Sequence, residues 1–171
     1  LEQTPVDLAD VVATVLAALD HRLAEAALQP EARLDPAVVH GDRTRLAQVV
    51  TNLLTNAVKF VPPGGRVTVH TERRGEAVVL TVRDDGPGIP EAELPHVFDR
   101  YFRGSRARAS GSGIGLAVVA ALVQAHGGTV EAGNAAEGGA VFTVRLPAAG
   151  TESLSPQRAD AGRAAVAIPV T

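Results

Sequence analysis

Asn52, Asn56 and Lys59 stand at i, i+4 and i+7, a spacing that puts three side chains on one face of an α-helix. Two amides and the only lysine of the chain share that face. An ammonium group needs partners when buried, so the face cannot all be core. An amide oxygen suits a hard divalent ion such as Mg²⁺, which also takes phosphate oxygens, and Asn56 can supply one. Lys59 can meet the phosphate itself. The same three residues also fit the solvent side of an ordinary amphipathic helix.

A second group is Arg83-Asp84-Asp85-Gly86-Pro87-Gly88-Ile89-Pro90. Here an alternating segment ends in carboxylates and the chain turns through two glycines, which allow close backbone approach to a ligand. A carboxylate at such a point can accept from an exocyclic amine, for example the 6-amino group of adenine. A plain Asp-Gly turn has the same residues. A third group is Gly111-Ser112-Gly113-Ile114-Gly115-Leu116, which opens a helical pattern. Glycines there free the first helical N–H groups to face an anion, and the helix dipole adds to the attraction. No Gly-Lys-Ser/Thr follows, and the dinucleotide spacing is not met; a flexible linker would look similar. Just before it, Arg100, Arg103, Arg106 and Arg108 accompany a single acid, Asp99. Such a loop would reach the charge of a polyphosphate, or would simply be solvated. The five histidines are scattered, and none has a metal-ligand spacing.

The elements that must position these groups are read from periodicity. Apolar residues from Ala9 to Leu28 keep helical spacing, with Pro30 as the stop. Val6–Leu8, Ala32–Leu34 and Val38–His40 read as short strands. Asp42 reads as the N-cap of a helix from Arg43 to about Phe60, closed by Pro62-Pro63-Gly64-Gly65. Two hairpins follow from alternation, Arg66–Arg74 with Ala77–Arg83 and Thr129–Ala132 with Ala140–Leu146. A short helix is expected over Glu91–Val97 and another over Ile114–Ala125. The expected fold is α+β: a two-layer sandwich with a mostly antiparallel, mixed sheet and about three helices on one face. Residues 1–149 form the expected domain, and 150–171, rich in Ser, Pro, Gly and Ala, read as a flexible tail.

Composition removes several classes. The chain has 171 residues, 46% of them hydrophobic, enough for one real core. There is no cysteine, so disulfides, thiolate zinc sites and a cysteine nucleophile are excluded. A net charge of −3 and 3% aromatics argue against nucleic-acid binding by bulk charge or stacking. The longest apolar run, Leu116–Val123, is far short of a bilayer span. The residues at the start lack the basic and apolar regions of a signal peptide. The chain begins at Leu1, and it is expected to be a piece of something longer.

Taken in order, the groups resemble the catalytic ATP-binding domain of bacterial two-component sensor histidine kinases, within the ATPase superfamily shared with DNA gyrase and MutL. Arg45–Phe60 is similar to the N box of that family, Asp84–Pro90 to its first glycine box, Phe98–Arg103 to its F box and Gly111–Leu116 to its second glycine box. The resemblance implies roles for matching positions. Asp84 would accept from the adenine amine, while Gly86 and Gly88 let the chain pass the base. Asn56 would ligate Mg²⁺ with Asn52 nearby. Lys59 and Arg100 would contact phosphate oxygens, and these two with Asn52 are the catalytic candidates. Phe60 and Tyr101 would line the adenosine pocket. Gly111, Gly113 and Gly115 would hinge and cradle the polyphosphate, and residues 101–110 would form a lid. Ile89, Arg103, Ser112, Ile114 and Leu116 are carried over as nucleotide-contacting positions.

Hydrolysing members of the superfamily carry a Glu four residues before the Mg²⁺-binding Asn. Here that position is Asn52, and a neutral amide cannot take a proton from water. The resemblance therefore implies phosphoryl transfer to a histidine on a separate dimerisation domain, and from there to a response regulator. His21 lacks the acceptor context. The implied partners are ATP or ADP, that domain and the regulator, with no nucleic acid and no membrane contact by this piece, which is expected to be monomeric. It would be a cytoplasmic part of a protein in the bacterial inner membrane. Two alternatives stay open: an anti-sigma-factor-type Ser/Thr kinase, and a nucleotide-sensing module without catalysis.

Overall fold

The computed structural model describes residues 1–103 and 113–150. The proposed tail beyond Gly150, together with Arg106, Arg108, Gly111 and Ser112, lies outside the described residues.

The strand β1 (Thr4–Asp7) leads directly into α1 (Leu8–Ala18), because the Asp7 carboxylate caps the helix by accepting the Ala9 N–H at 3.0 Å. The expected single helix from Ala9 to Leu28 is instead two. It breaks at Leu19 and resumes as α2 (Asp20–Glu25). Pro30 is not the stop. Ala27 takes φ +54°, the Ala27 N–H bonds the Ala24 carbonyl and the Leu28 N–H bonds the Leu23 carbonyl. That is a Schellman closure with alanine in the place glycine usually takes. Pro30 lies inside β2 (Gln29–Leu34), an edge strand, where a missing N–H is tolerated.

After β3 (Val38–Gly41) comes α3 (Arg43–Phe60). Asp42 caps it as expected, accepting the Arg45 N–H at 3.1 Å. Its Leu46, Val49, Val50, Leu53, Leu54 and Ala57 are all buried, the i, i+3, i+4, i+7 stripe in full. The strands β4 (Arg66–Arg74) and β7 (Ala140–Pro147) bury alternate residues, β5 (Ala77–Asp84) buries Val78, Leu80, Val82 and Asp84 with Val79 besides, and the edge strand β6 (Thr129–Asn134) only half-buries Val130 and Ala132. The expected helix over Glu91–Val97 is only a 3₁₀ turn at Leu94–His96. Pro95 falls inside it, removes an N–H and disfavours helical geometry at Leu94. The last helix, α4, runs Gly115–Ala125.

Five strands form one sheet in the order β2-β4-β5-β7-β6, parallel between β2 and β4 and antiparallel elsewhere; β1 and β3 make a small separate pair. The helices cover one face. Phe142, Leu80, Val82 and Val144 from the sheet pack against Leu53, Leu54, Val12 and Val119 from the helices. Thr81, Thr143 and Arg145 are on the other face, half or fully exposed. The fold is thus the two-layer α+β sandwich expected, with four helices rather than three because the first is broken.

Candidate functional site

The alternation of β5 turns its last residue, Asp84, inward at the strand end, where it is 8% exposed. A buried carboxylate needs donors. It has the backbone N–H of Gly86 at 3.0 Å and that of Ala140 at 3.1 Å, both on Oδ1. Oδ2 accepts from no described residue, so it keeps acceptor capacity for something else. Gly86 lies close to this carboxylate and to Val61, the residue that follows α3. Gly88 has φ +76°, which only glycine adopts without strain. Ile89 is buried and joins the core.

The far end of α3 is therefore beside the Asp84 loop, and this end carries Asn56, Lys59 and Phe60. Asn56 and Phe60 are half-buried and Lys59 is exposed. Neither the Asn56 amide nor the Lys59 ammonium has a hydrogen-bonding or ionic partner among the described residues. An amide with a spare oxygen and an unpaired ammonium one helical turn apart are a fitting donor set for Mg²⁺ on a phosphate chain.

Asn52 ties this helix to α4: its Nδ2 donates to the Gly115 carbonyl at 3.1 Å. At the other end of the pair, His126 closes α4 onto the start of α3. Its Nε2 accepts the Asp42 N–H at 3.1 Å, and its Nδ1 lies 2.7 Å from the Leu122 carbonyl. A backbone N–H only donates, so the proton is on Nδ1. Gly115 is thus set against Asn52 on the amide face of α3. No described side chain caps the N-terminus of α4, whose first N–H groups have no partner within the helix.

The F-box residues reach this point from the other side. The Tyr101 N–H donates to the Gly113 carbonyl at 3.0 Å. Tyr101 is 64% exposed with φ +66°, and the Arg100 guanidinium is 6.0 Å from its ring centre. Arg103 is exposed. Phe98 turns inward and packs edge-on to Phe142, ring centres 6.3 Å apart. A carboxylate acceptor, an amide face and a helix end that no described side chain caps thus lie on one side of the sandwich. They suit a purine, a divalent ion and a phosphate chain in turn.

The family of histidine kinase-, DNA gyrase B- and HSP90-like ATPases matches residues 41–150. The chain belongs to this ATPase family. Histidine kinases are among its curated relatives. The signal transduction histidine-protein kinase AfsQ2 of Streptomyces coelicolor is 44% identical over 147 residues, 83% of this chain and 26% of that protein. The probable sensor histidine kinase TcrY of Mycobacterium tuberculosis is 45% identical over 162 residues, 90% of this chain and 33% of that protein. The ATPase domain therefore spans about a quarter to a third of the length of these relatives. Among solved structures, the mycobacterial sensor histidine kinase MprB superposes with a TM-score of 0.79 at 36% identity, over 85% of this chain and 98% of that one. The full-length kinase ShkA in complex with AMPPNP gives 0.74 at 28% identity, over 86% of this chain and 31% of that one.

Three residues of this ATPase domain that contact the Asp84 loop have no local sequence signature. Asn134 ends β6, Gly139 lies in the turn and Ala140 begins β7, 45 to 56 residues away in the chain. The Gly138-Gly139 pair reads as a hairpin turn and nothing more.

Proposed function

We propose that this domain binds Mg-ATP and delivers the γ-phosphoryl group to a histidine on a separate helical domain of the same parent protein. The observation that carries the reading is the Asp84 carboxylate, buried at the end of β5 with Oδ1 committed and Oδ2 uncommitted. In this reading Oδ2 accepts from the adenine amine. Asn56 offers its amide oxygen to Mg²⁺, and Lys59 meets phosphate oxygens. The N–H groups at the start of α4 face the chain of phosphates. Mg²⁺, when bound, neutralises charge on the phosphates during transfer. Arg100, Tyr101 and the segment after them would close over the nucleotide.

Water attack is not assisted. Asn52 has no basic atom, and its amide hydrogen is engaged by Gly115. Positioning and charge stabilisation supply the catalysis, with the nucleophile brought by the partner domain. Support comes from relatives named as histidine kinases and from ShkA, whose structure is a complex with AMPPNP. In that setting the domain is a cytoplasmic part of a membrane protein; no helix of the described residues is long and apolar enough to cross a membrane.

The test is a calorimetric titration with a non-hydrolysable ATP analogue, with and without Mg²⁺. Binding that tightens with Mg²⁺ is expected. Absence of binding in both conditions would leave an interaction module in place of a kinase.

A further inference from the structure

The turn between β6 and β7 holds the Asp84–Pro90 loop at both ends. The Asn134 amide oxygen accepts the Ile89 N–H at 2.7 Å, and its Nδ2 donates to the Ile89 carbonyl at 2.6 Å. One side chain thus satisfies both backbone groups of Ile89, as a neighbouring strand would. The Asn134 Oδ1 stands 2.8 Å from where a Cβ on Gly88 would be, so the contact also needs glycine there. At the loop's start, the Ala140 N–H holds Asp84 Oδ1 at 3.1 Å. Gly139 lies against the Asp84 backbone, where a Cβ would fall 1.9 Å from the Asp84 carbonyl oxygen. The turn itself is closed by two bonds of 3.0 Å, Gly138 N–H to the Ala135 carbonyl and Ala135 N–H to the Gly139 carbonyl.

A loop with two glycines has many conformations to lose before it can present one carboxylate oxygen in one direction. At its far end the core takes the Ile89 side chain, and Asn134 holds the Ile89 backbone. We infer that Asn134 is a positioning residue for base recognition, acting through the loop to hold Asp84 Oδ2 toward the exocyclic amine of a purine. The inference rests on the adenine assignment of Asp84 made above. The side chain must carry a donor and an acceptor side by side. A carboxylate at 134 would turn an acceptor against the Ile89 carbonyl, and an alkyl group would leave both Ile89 groups unpaired.

The test is base discrimination, read by calorimetry with ADP and IDP. IDP keeps the phosphates and replaces the 6-amino group by an oxo group. The unaltered protein should prefer ADP. Asn134→Ala should lose about tenfold in ADP affinity while IDP affinity stays within about twofold. Asn134→Asp should lose more, and Asn134→Ser, whose hydroxyl both donates and accepts, should retain part of the preference. Should the alanine variant prove unfolded by circular dichroism, the serine variant carries the same comparison. An unchanged ADP preference in folded variants would overturn the role. So would equal weakening of both nucleotides, which marks a general structural loss. Failure of the unaltered protein itself to distinguish ADP from IDP would instead remove the base assignment of Asp84, and this inference with it.

Discussion

Asp84 shows how one side chain is fixed for folding and left available for binding. Its two backbone donors both fall on Oδ1. Asp84→Asn keeps an oxygen for those donors and turns the other acceptor into an amide donor. The loop should hold its shape while a donor faces the adenine amine. Loss of a charge-assisted bond is worth about 2–3 kcal/mol, so ATP affinity should fall roughly 30- to 150-fold. Calorimetry checks this, and an unchanged affinity would take Asp84 out of the base site. Asn56 gives a second, separable expectation. Asn56→Ala should bind ATP in excess chelator as the unaltered protein does, and should gain little when Mg²⁺ is restored. A variant that still responds fully to Mg²⁺ would clear Asn56 of the metal role.

At the level of elements, the cap of α3 links stability to pH. The Arg45 backbone N–H is the main cause that holds the Asp42 carboxyl below its ordinary value of 3.8; partial burial opposes it, and the N–H groups of Glu2 and Thr44 assist. The folded-state value is thus depressed. The stabilisation is complete above 3.8, the unfolded value, and is lost as pH falls through the folded value. Asparagine caps a helix about as well as aspartate but does not titrate. Asp42→Asn should therefore melt slightly below the parent at neutral pH, and the gap should close as pH drops under 4. Thermal melts of the two proteins from pH 6 to 3 decide it; parallel curves would mean that the cap charge adds nothing. This cap was legible in the sequence, and so were the buried stripe of α3 and both hairpins, because each is written in contiguous residues. The break at Leu19 and the stop after α2 were not; the stop depends on Ala27 adopting a left-handed conformation that its side chain does not advertise. The site divides in the same way. Asn52, Asn56, Lys59 and Asp84 stand in local runs, whereas Asn134 and Gly139 gain their meaning only when a distant turn docks.

For the whole molecule, the question is what the ATPase domain can do without a histidine-bearing domain beside it. It covers 26% of the length of AfsQ2 and 33% of TcrY. His21, the histidine on the helical segment nearest the start, pairs with Glu25 at 3.1 Å on the exposed side of α2. Its element packs beside α1 and β2, while the proposed nucleotide face comprises the far end of α3, the start of α4 and the end of β5. Transfer to His21 within one molecule would need α2 to leave its place. Incubated with γ-labelled ATP and Mg²⁺, the isolated domain should take up no label and release phosphate only slowly, since Asn52 activates no water. Adding a histidine-bearing hairpin domain from the parent protein should produce label on that domain alone, stable to base and labile to acid as a phosphohistidine is. Asn56→Ala should abolish that transfer, and His21→Ala should leave it unchanged. Label on the isolated domain would overturn the division of labour between the two domains. Rapid phosphate release without label would place this chain with the hydrolysing members of its family.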